Sequence, residues 1–268
     1  MLHRLVALFT FFNAFACAAD EPAWKKNLSS PDPGSYQTIS PCVIDLQVTW
    51  NGMIDSGKLR IEFAPKDAKK SDVYIVRSSA SSLGPAAVLF PYQCDFWSEL
   101  DPTSLKPKLF HAVETDNSET STSDTRHFND RVEYQENTKP LDGRPPTRKE
   151  RVFKFNPVFD IFSAMLHVRS QKLEPGDLIT LVVHPSGSPY LLNVKVIARE
   201  LHLDRKTIRL SVGLRKINRK TLELAPYKKM KKDATLWLSD DAERIPVELR
   251  AAVFIGDIRA TLTGYQKL

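Results

Sequence analysis

The sequence has few of the residues that bind metals or that staple small folds. Its 268 residues include three cysteines and six histidines, and its 10 glycines are outnumbered by 18 prolines. The cysteines lie far apart and the histidines are isolated from one another, so the spacing of a zinc site is missing. Prolines spread along the chain disfavour a helix bundle and favour strands joined by shaped loops. Hydrophobic residues make up 42% of the chain, which is enough to bury a core.

Long apolar runs and catalytic motifs are also missing. Beyond the first 20 residues no run is apolar enough to span a bilayer, so we expect no transmembrane helix in the mature chain. The chain contains no Gly-x-Ser-x-Gly, phosphate-binding loop, dinucleotide glycine fingerprint or His-Glu-x-x-His. The adjacent carboxylates Asp240 and Asp241 lie between two predicted strands, where a turn is the better interpretation than an acid–base pair. We therefore expect a non-enzymatic protein without catalytic residues, metal or cofactor.

The N-terminus resembles a secretory signal. Arg4 precedes a 12-residue apolar stretch, Leu5 to Ala16, and Ala16-Cys17-Ala18 places small residues where a signal peptidase cleaves. A 12-residue helix is about 18 Å long, too short to span a bilayer. The sequence therefore predicts a signal peptide over residues 1–18 and a periplasmic protein. A lipoprotein attached through Cys17 is the less favoured alternative, because Phe15 is bulky for such a site.

Cleavage after Ala18 would leave two cysteines, Cys42 and Cys94. An even number of cysteines in an oxidising compartment is consistent with a disulfide between them. Two buried free thiols are the alternative, and the sequence does not decide between them.

Alternation of residue type predicts strands along most of the chain. The clearest are residues 42–50 and 208–215, in each of which one face is apolar. Polar, unperiodic residues 116–124 and 141–149 are predicted to be surface loops, and residues 19–41, rich in proline and serine, an exposed lead-in. Further strands are predicted at residues 59–63, from 73 onward, and at 109–113, 131–135, 178–183, 191–198, 234–238, 246–255 and 258–263.

One helix separates the two groups of strands. Asn156 is a suitable cap and Pro157 a suitable first residue, and the apolar side chains that follow lie on one helical face up to Arg169. The fold class is therefore all-β and mainly antiparallel, with a curved sheet that closes into a barrel-like or sandwich architecture. The helix is expected to cover one opening of that sheet.

Positive charge is concentrated in one segment. Residues 204–232 contain eleven Lys and Arg and two acids, a balance of +9, whereas the whole chain carries +6. This segment is either a solvated strand edge or a patch that contacts anionic lipid, lipopolysaccharide or another acidic envelope polymer. Nucleic acid is not an expected partner, since export removes the chain from it. The residues assigned to anionic-surface contact are Arg205, Lys206, Lys228, Lys229, Lys231 and Lys232.

The C-terminal stretch WLSDDAERIPVELRAAVFIGDIRATL resembles the end of domain-of-unknown-function family 3108, a family of bacterial exported proteins. The similarity extends to residues 159–169, to the opening strand with Trp50, and over most of the chain from about residue 42. It implies a single antiparallel barrel-like domain over residues 42–268 and an envelope location, and it transfers no catalytic residues. The motif positions are Trp237, Ser239, Asp240, Asp241, Arg244, Pro246 and Gly256, with Asp240 and Arg244 expected to serve as a turn aspartate and a buried or stacked guanidinium.

We expect the protein to bind an apolar or amphiphilic envelope ligand, such as a lipid or glycolipid, inside the curved sheet. An internal cavity would favour this function. A filled interior with an exposed apolar patch would favour the alternative, a structural or assembly protein of the envelope, and a cluster of histidine and carboxylate in a pocket would favour a hydrolase. The side chains predicted to line the ligand site are Trp50, Phe110, Phe162, Met165 and Trp237.

Overall fold

The fold is one antiparallel sheet that curls on itself. The computed structural model describes residues 21–36, 40–63, 73–253 and 256–268, and its strands form a single 15-stranded sheet. The first eight strands are β1 (Cys42–Trp50), β2 (Ile54–Phe63), β3 (Tyr74–Ser82), β4 (Tyr92–Leu100), β5 (Pro107–Asp116), β6 (Glu119–His127), β7 (Val132–Pro140) and β8 (Thr147–Phe153). The others are β9 (Leu178–Ser186), β10 (Ser188–His202), β11 (Arg205–Ile217), β12 (Leu224–Pro226), β13 (Ala234–Ser239), β14 (Pro246–Val253) and β15 (Gly256–Lys267). The helices are a 3-10 helix (Ala23–Asn27), α1 (Gly84–Leu89) and α2 (Ile161–Ser170).

The strands follow one another as a meander, with one pairing between the ends of the domain. Strands β8 to β1 lie side by side in order, and β1 then pairs with β15, with Cys42 opposite Lys267. From β15 the order continues through β14, β13, β11 and β10 to β9, so β8 and β9 are the two edges. The predicted antiparallel, mainly β fold is confirmed.

The two edges overlap without forming a ladder, so the sheet is curled and not closed. Val132 and Phe153, from β7 and β8, share a core cluster with Val182 of β9. Arg151 Nη1 of β8 donates to the carbonyl oxygen of Gly187, between β9 and β10, at 2.6 Å. One end of the sheet therefore lies over the outer face of the other.

Helix α2 lies inside the curl. Phe162 and Leu166 pack into the core formed by β1 to β5, and Ala164 and Val168 pack into the core formed by β9, β10, β11 and β13. Eight of its ten residues are buried. The prediction of an amphipathic helix with one apolar face was wrong, because apolar walls surround α2 on both sides.

The first helical residue was also predicted wrongly. Helix α2 begins at Ile161, after Asp160, and not at Pro157. The Asp160 carboxylate accepts hydrogen bonds from the amides of Phe162 and Ser163, and Ser163 Oγ accepts one from the Asp160 amide, which forms a capping box. Phe159 instead extends the sheet, because it forms a parallel bridge to Val183 at the β9 edge.

Two segments predicted to be loops contain strands. Residues 119–127 form β6 although they are polar, because hydroxyl groups pair across the sheet: Thr115 with Thr120 at 3.0 Å and Ser121 with Thr138 at 3.1 Å. Residues 147–149 likewise belong to β8 rather than to a loop. Composition alone misled the prediction here, since threonine fits a pleated strand whether or not the alternate residues are apolar.

The described part of the lead-in packs on the sheet and is not simply exposed. Trp24 is buried and donates from Nε1 to the carbonyl oxygen of Leu222 at 2.9 Å, and the Ser29 amide pairs with the carbonyl oxygen of Thr180 at the β9 edge. The predicted signal peptide (residues 1–18) and Cys17 lie outside the described residues. Within the described ranges, no helix has the length and apolar character needed to cross a membrane.

Candidate functional site

An apolar cavity opens at one end of the curl. It has a volume of about 340 Å³ and lies about 27 Å along β1 from Cys42, far from the end that α2 fills. The inner faces of β1, β2, β3 and β15 form its wall and α1 lies across its mouth. The residues that line it are Val48, Trp50, Ile54, Ser56, Gly57, Lys58, Ala80, Ser81, Ser82, Pro85, Ala86, Leu89, Phe90, Tyr92 and Ile258.

Small residues on neighbouring strands make the space. Gly57 lies opposite Val48 and Ser82, and Ala80 lies opposite Leu59 and Cys94. A Cβ atom on Gly57 would lie 2.8 Å from the backbone carbonyl oxygen of Ser81, so the glycine also allows β2 and β3 to approach. The interior is therefore filled with large side chains where α2 lies and left open at the other end.

Helix α1 is held against β2 at the mouth. The Leu83 amide donates to the carbonyl oxygen of Ser56 at 2.9 Å, and none of the residues of α1 is buried. The hydroxyl groups of Ser56 and Ser82 bond to nearby backbone, and Tyr92 Oη donates to Glu114 Oε1 at 2.6 Å. Burial and the neighbouring Glu114 raise the pKa of Tyr92, so this phenol stays neutral. The arrangement suits an apolar group inside and a polar group outside.

Of the residues predicted to line a ligand site, Trp50 lies in the cavity. Phe110 and Phe162 pack against each other in the core, with ring centroids 6.0 Å apart, and Met165 is partly buried against the same core. These three fill the interior rather than line a cavity. Trp237 does not face the interior, because its neighbours Leu236 and Leu238 take the inner face.

Trp237 instead belongs to a polar cluster on the outer face. Its ring stacks on His202 with centroids 4.1 Å apart, and its Nε1 donates to Glu200 Oε1 at 2.8 Å. His202 Nε2 lies 2.6 Å from Glu248 Oε2, and Arg250 Nη2 lies 2.8 Å from the same oxygen. The indole covers a buried carboxylate that a histidine and an arginine contact, an arrangement that the motif alone does not reveal.

The other motif positions close the end of α2 and the β13–β14 turn. Asp241 accepts hydrogen bonds from the amides of Glu243 and Arg244, both at 3.0 Å, and so forms the turn. Asp240, the expected turn aspartate, pairs with Arg199. Arg244 is buried and stacks on Tyr36 at 3.9 Å from the ring centroid. It donates to the carbonyl oxygens of Arg169, in the last turn of α2, and Lys172, just after it.

Two further motif positions shape the neighbouring strands. Gly256 has φ +132°, and a Cβ atom there would lie 2.4 Å from Trp50 Nε1, which accounts for glycine at the cavity margin. Pro246 begins β14 beside a register shift opposite Leu238.

The predicted anionic-contact residues do not form one patch. Arg205 and Lys206 lie at the β10–β11 turn, near Ser239, whereas the loop with Lys228, Lys229, Lys231 and Lys232 leads into Ala234, opposite Val212. About 20 Å of β11 separates the two groups. The prediction of a single patch was wrong because a strand carries the two halves of the segment to opposite ends of the sheet.

Cys42 and Cys94 are free and buried, so the disulfide alternative was wrong. They lie on β1 and β4, three strand spacings or about 14 Å apart across the sheet, and they are also offset along it, since Cys94 pairs with Ala80 and Cys42 with Phe63. Burial raises the pKa of both thiols.

A second, polar groove of about 490 Å³ lies on the outer face of β2 to β5. His111 Nδ1 lies 2.7 Å from Asp124 Oδ1 there, and the Trp97 ring meets the imidazole edge-on. Charged side chains from neighbouring strands complete the groove, among them Arg60, Glu62, Arg77 and Asp95. Among the described residues, no group of three His, Cys, Asp or Glu side chains could hold a metal ion.

The sequence reasoning missed α1 as part of the site. The available signal was an apolar run between Pro85 and Pro91, too short for a core helix and next to a predicted strand. Only the assembly of β3, β2, β1 and β15 side by side shows that this run lies over an apolar opening.

Comparisons with known proteins identify the family and the fold. The family model described as "Protein of unknown function (DUF3108)" matches residues 45–263. A search of curated proteins found no match. The crystal structure of a beta-barrel-like protein of the domain of unknown function DUF1849 from Brucella abortus is similar, with a TM-score of 0.56 and 10% sequence identity over 86% of this chain and 98% of that one. At that identity the likeness concerns the fold.

Proposed function

We propose that this chain, which belongs to the DUF3108 family, is a non-enzymatic binding module for a ligand with an apolar or amphiphilic part. The ligand class that we favour is a lipid or glycolipid of the cell envelope. One observation carries the proposal: the open end of the curled sheet contains a cavity of about 340 Å³ whose wall is mainly apolar surface. Ligand sites in proteins typically have volumes of about 300–1,000 Å³.

The cavity wall supports a ligand with an apolar part. An acyl chain in the cavity would contact Ala80, Ile258 and the ring of Trp50. A polar head group would remain outside the mouth, where the cavity opens to solvent beside Tyr92. Export, which the N-terminal sequence predicts, would bring the chain to such a ligand.

Titration with a fluorescent fatty acid tests the proposal. We expect saturable binding with about one site for each chain, and quenching of tryptophan fluorescence that is weaker in Trp50→Phe. Ala80→Phe places a large ring in the cavity and should abolish binding. Ser79→Phe is the matched control, because it adds the same ring one residue earlier on the outer face, where it reaches the polar groove. Thermal unfolding of each variant shows that it is folded.

The two variants also distinguish the cavity from the outer groove. Loss of binding in Ser79→Phe alone would show that the ligand binds in the outer groove and would overturn the proposal. Absence of saturable binding by the folded wild type would favour the alternative, a structural or assembly protein of the envelope. The observation behind that alternative is the exposed apolar surface of α1.

A further inference from the structure

Apolar side chains surround the mouth of the cavity. Met53, in the β1–β2 turn, and Val88, in α1, are each 82% exposed, and Ile54, Leu89 and Phe90 are exposed beside them. Single exposed apolar residues are common, but here two adjacent elements present a group of them around one opening. We call these five residues the apolar rim.

Four lysines lie at the same end of the sheet. The loop between β12 and β13 carries Lys228, Lys229, Lys231 and Lys232, all exposed, and among the described residues none of the four forms an ion pair. The Lys231 amide donates to the carbonyl oxygen of Ala252 at 2.9 Å, and β14 leads through β15 to β1. The lysine loop is therefore about 15 Å, or three strand spacings, from the β1–β2 turn.

Acidic residues lie on the other side of the rim. Glu114, Asp116 and Glu119 lie in or beside the β5–β6 turn, which follows α1 and β4 in the order of the sheet. This end thus has the four lysines, with Asp233, on one side and these three carboxylates on the far side, and the apolar rim lies between them together with the exposed Asp55 and Asp257. Such a distribution of charge would attract the lysine loop to an anionic surface and tilt the carboxylates of the β5–β6 turn away from it.

We infer that this end of the protein docks on the surface of an anionic phospholipid bilayer. The apolar rim enters the boundary between head groups and acyl chains, and the lysine loop contacts the anionic head groups. A protein partner would need to match both an apolar rim and an unpaired cationic loop. A bilayer surface offers acyl chains to the rim and anionic head groups to the loop at once. Docking places the cavity mouth at the membrane, so that an acyl chain passes from the bilayer into the cavity; that last step rests on the proposed function.

Flotation of the full chain with lipid vesicles tests docking. The vesicles consist of phosphatidylcholine alone or of phosphatidylcholine with one quarter phosphatidylglycerol. We expect binding to the anionic vesicles, reduced by salt, and weak binding to the neutral ones. The rim variant Val88→Ser/Leu89→Ser/Phe90→Ser and the loop variant Lys228→Ser/Lys229→Ser/Lys231→Ser/Lys232→Ser should each bind roughly tenfold or more weakly.

Matched controls come from the opposite end of the sheet. Leu201→Ser/Leu203→Ser removes two exposed apolar side chains at the β10–β11 turn, and Lys106→Ser/Lys172→Ser/Arg205→Ser/Lys206→Ser removes four exposed cationic ones. Both controls should bind vesicles as the wild type does. Equal binding by the rim variant and its control, or no vesicle binding by the wild type, would overturn the inference.

Fatty-acid titration without vesicles separates this inference from the proposed function. The loop variant should retain the affinity of the wild type for the fatty acid, since its lysines do not line the cavity. A chain that binds fatty acid but not vesicles would refute docking alone. A chain that binds vesicles but not fatty acid would refute the proposed function and leave docking in place.

Discussion

Arg244 Nη1 donates a hydrogen bond to the carbonyl oxygen of Arg169 at 2.8 Å, although the two residues are 75 positions apart in the chain. The same guanidinium donates to the carbonyl oxygens of Gln171 and Lys172. A helix leaves its last carbonyls without partners, and a cation at this end also interacts favourably with the helix dipole. The β13–β14 turn thus caps the buried helix and ties it to the sheet.

Arg244→Ala should lower the free energy of unfolding by about 3 kcal/mol, because it leaves several carbonyl groups without their donor in a buried place. The free energy of unfolding of Arg244→Lys should lie between those of the wild type and of Arg244→Ala, since an ammonium cannot reach three carbonyls as the planar guanidinium does. Urea unfolding followed by circular dichroism measures both. Arg144→Ala, at an exposed arginine in the β7–β8 turn, is the control and should change the free energy by less than about 0.5 kcal/mol. Equal stability of the two alanine variants would contradict the capping role.

The protein should lose stability as the pH falls from about 7 to 5. Burial lowers the pKa of His127 to about 4, of His167 to about 4 and of His184 to about 3. In this pH range the unfolded chain binds protons on these histidines and the folded chain does not, so the free energy of unfolding rises with pH. Each histidine should contribute about 2 kcal/mol to the difference.

Urea titrations at both pH values measure this effect. The free energy of unfolding differs between the two pH values, and His184→Gln should reduce that difference by the contribution of one histidine. This holds whatever the effect of the substitution on stability at neutral pH. A pH dependence identical to that of the wild type would show that His184 does not remain neutral in the folded protein.

Cys42 and Cys94 should remain reduced in the native protein. Because both are buried and burial raises the pKa of each thiol, an alkylating reagent should modify them slowly before unfolding and completely after it. Peptide mapping by mass spectrometry reads each residue separately, and a linked Cys42–Cys94 peptide would refute the geometry. The same map reports the N-terminus of protein recovered from cells: a mature chain that begins near Ala19 contains no Cys17, whereas an acylated Cys17 would identify a lipoprotein.

The candidate site was predictable only in part. Trp50 could be assigned to an inner face because it continues the alternation of β1, and that face is an inner wall of the cavity. Trp237 has a similar sequence context but faces outward, because in β13 the inner positions belong to Leu236 and Leu238. Which of two alternating faces is the inner one depends on the direction in which the sheet curls, and no short stretch of sequence carries that information.

By itself the sequence determined the local elements whose pattern follows a single period. Alternation in residues 42–50 fixed β1 with its observed bounds, and an apolar run with helical spacing fixed the presence of α2. Only the tertiary structure decided that α2 lies inside the curl, that polar residues 119–127 form a strand, and that Arg244 caps a helix distant in sequence. The cavity also belongs to this second group, since Gly57, Ala80 and Ile258 come from three strands and leave space only when pairing brings them together. Backbone periodicity is a local property, whereas burial depends on what the rest of the chain places on each face.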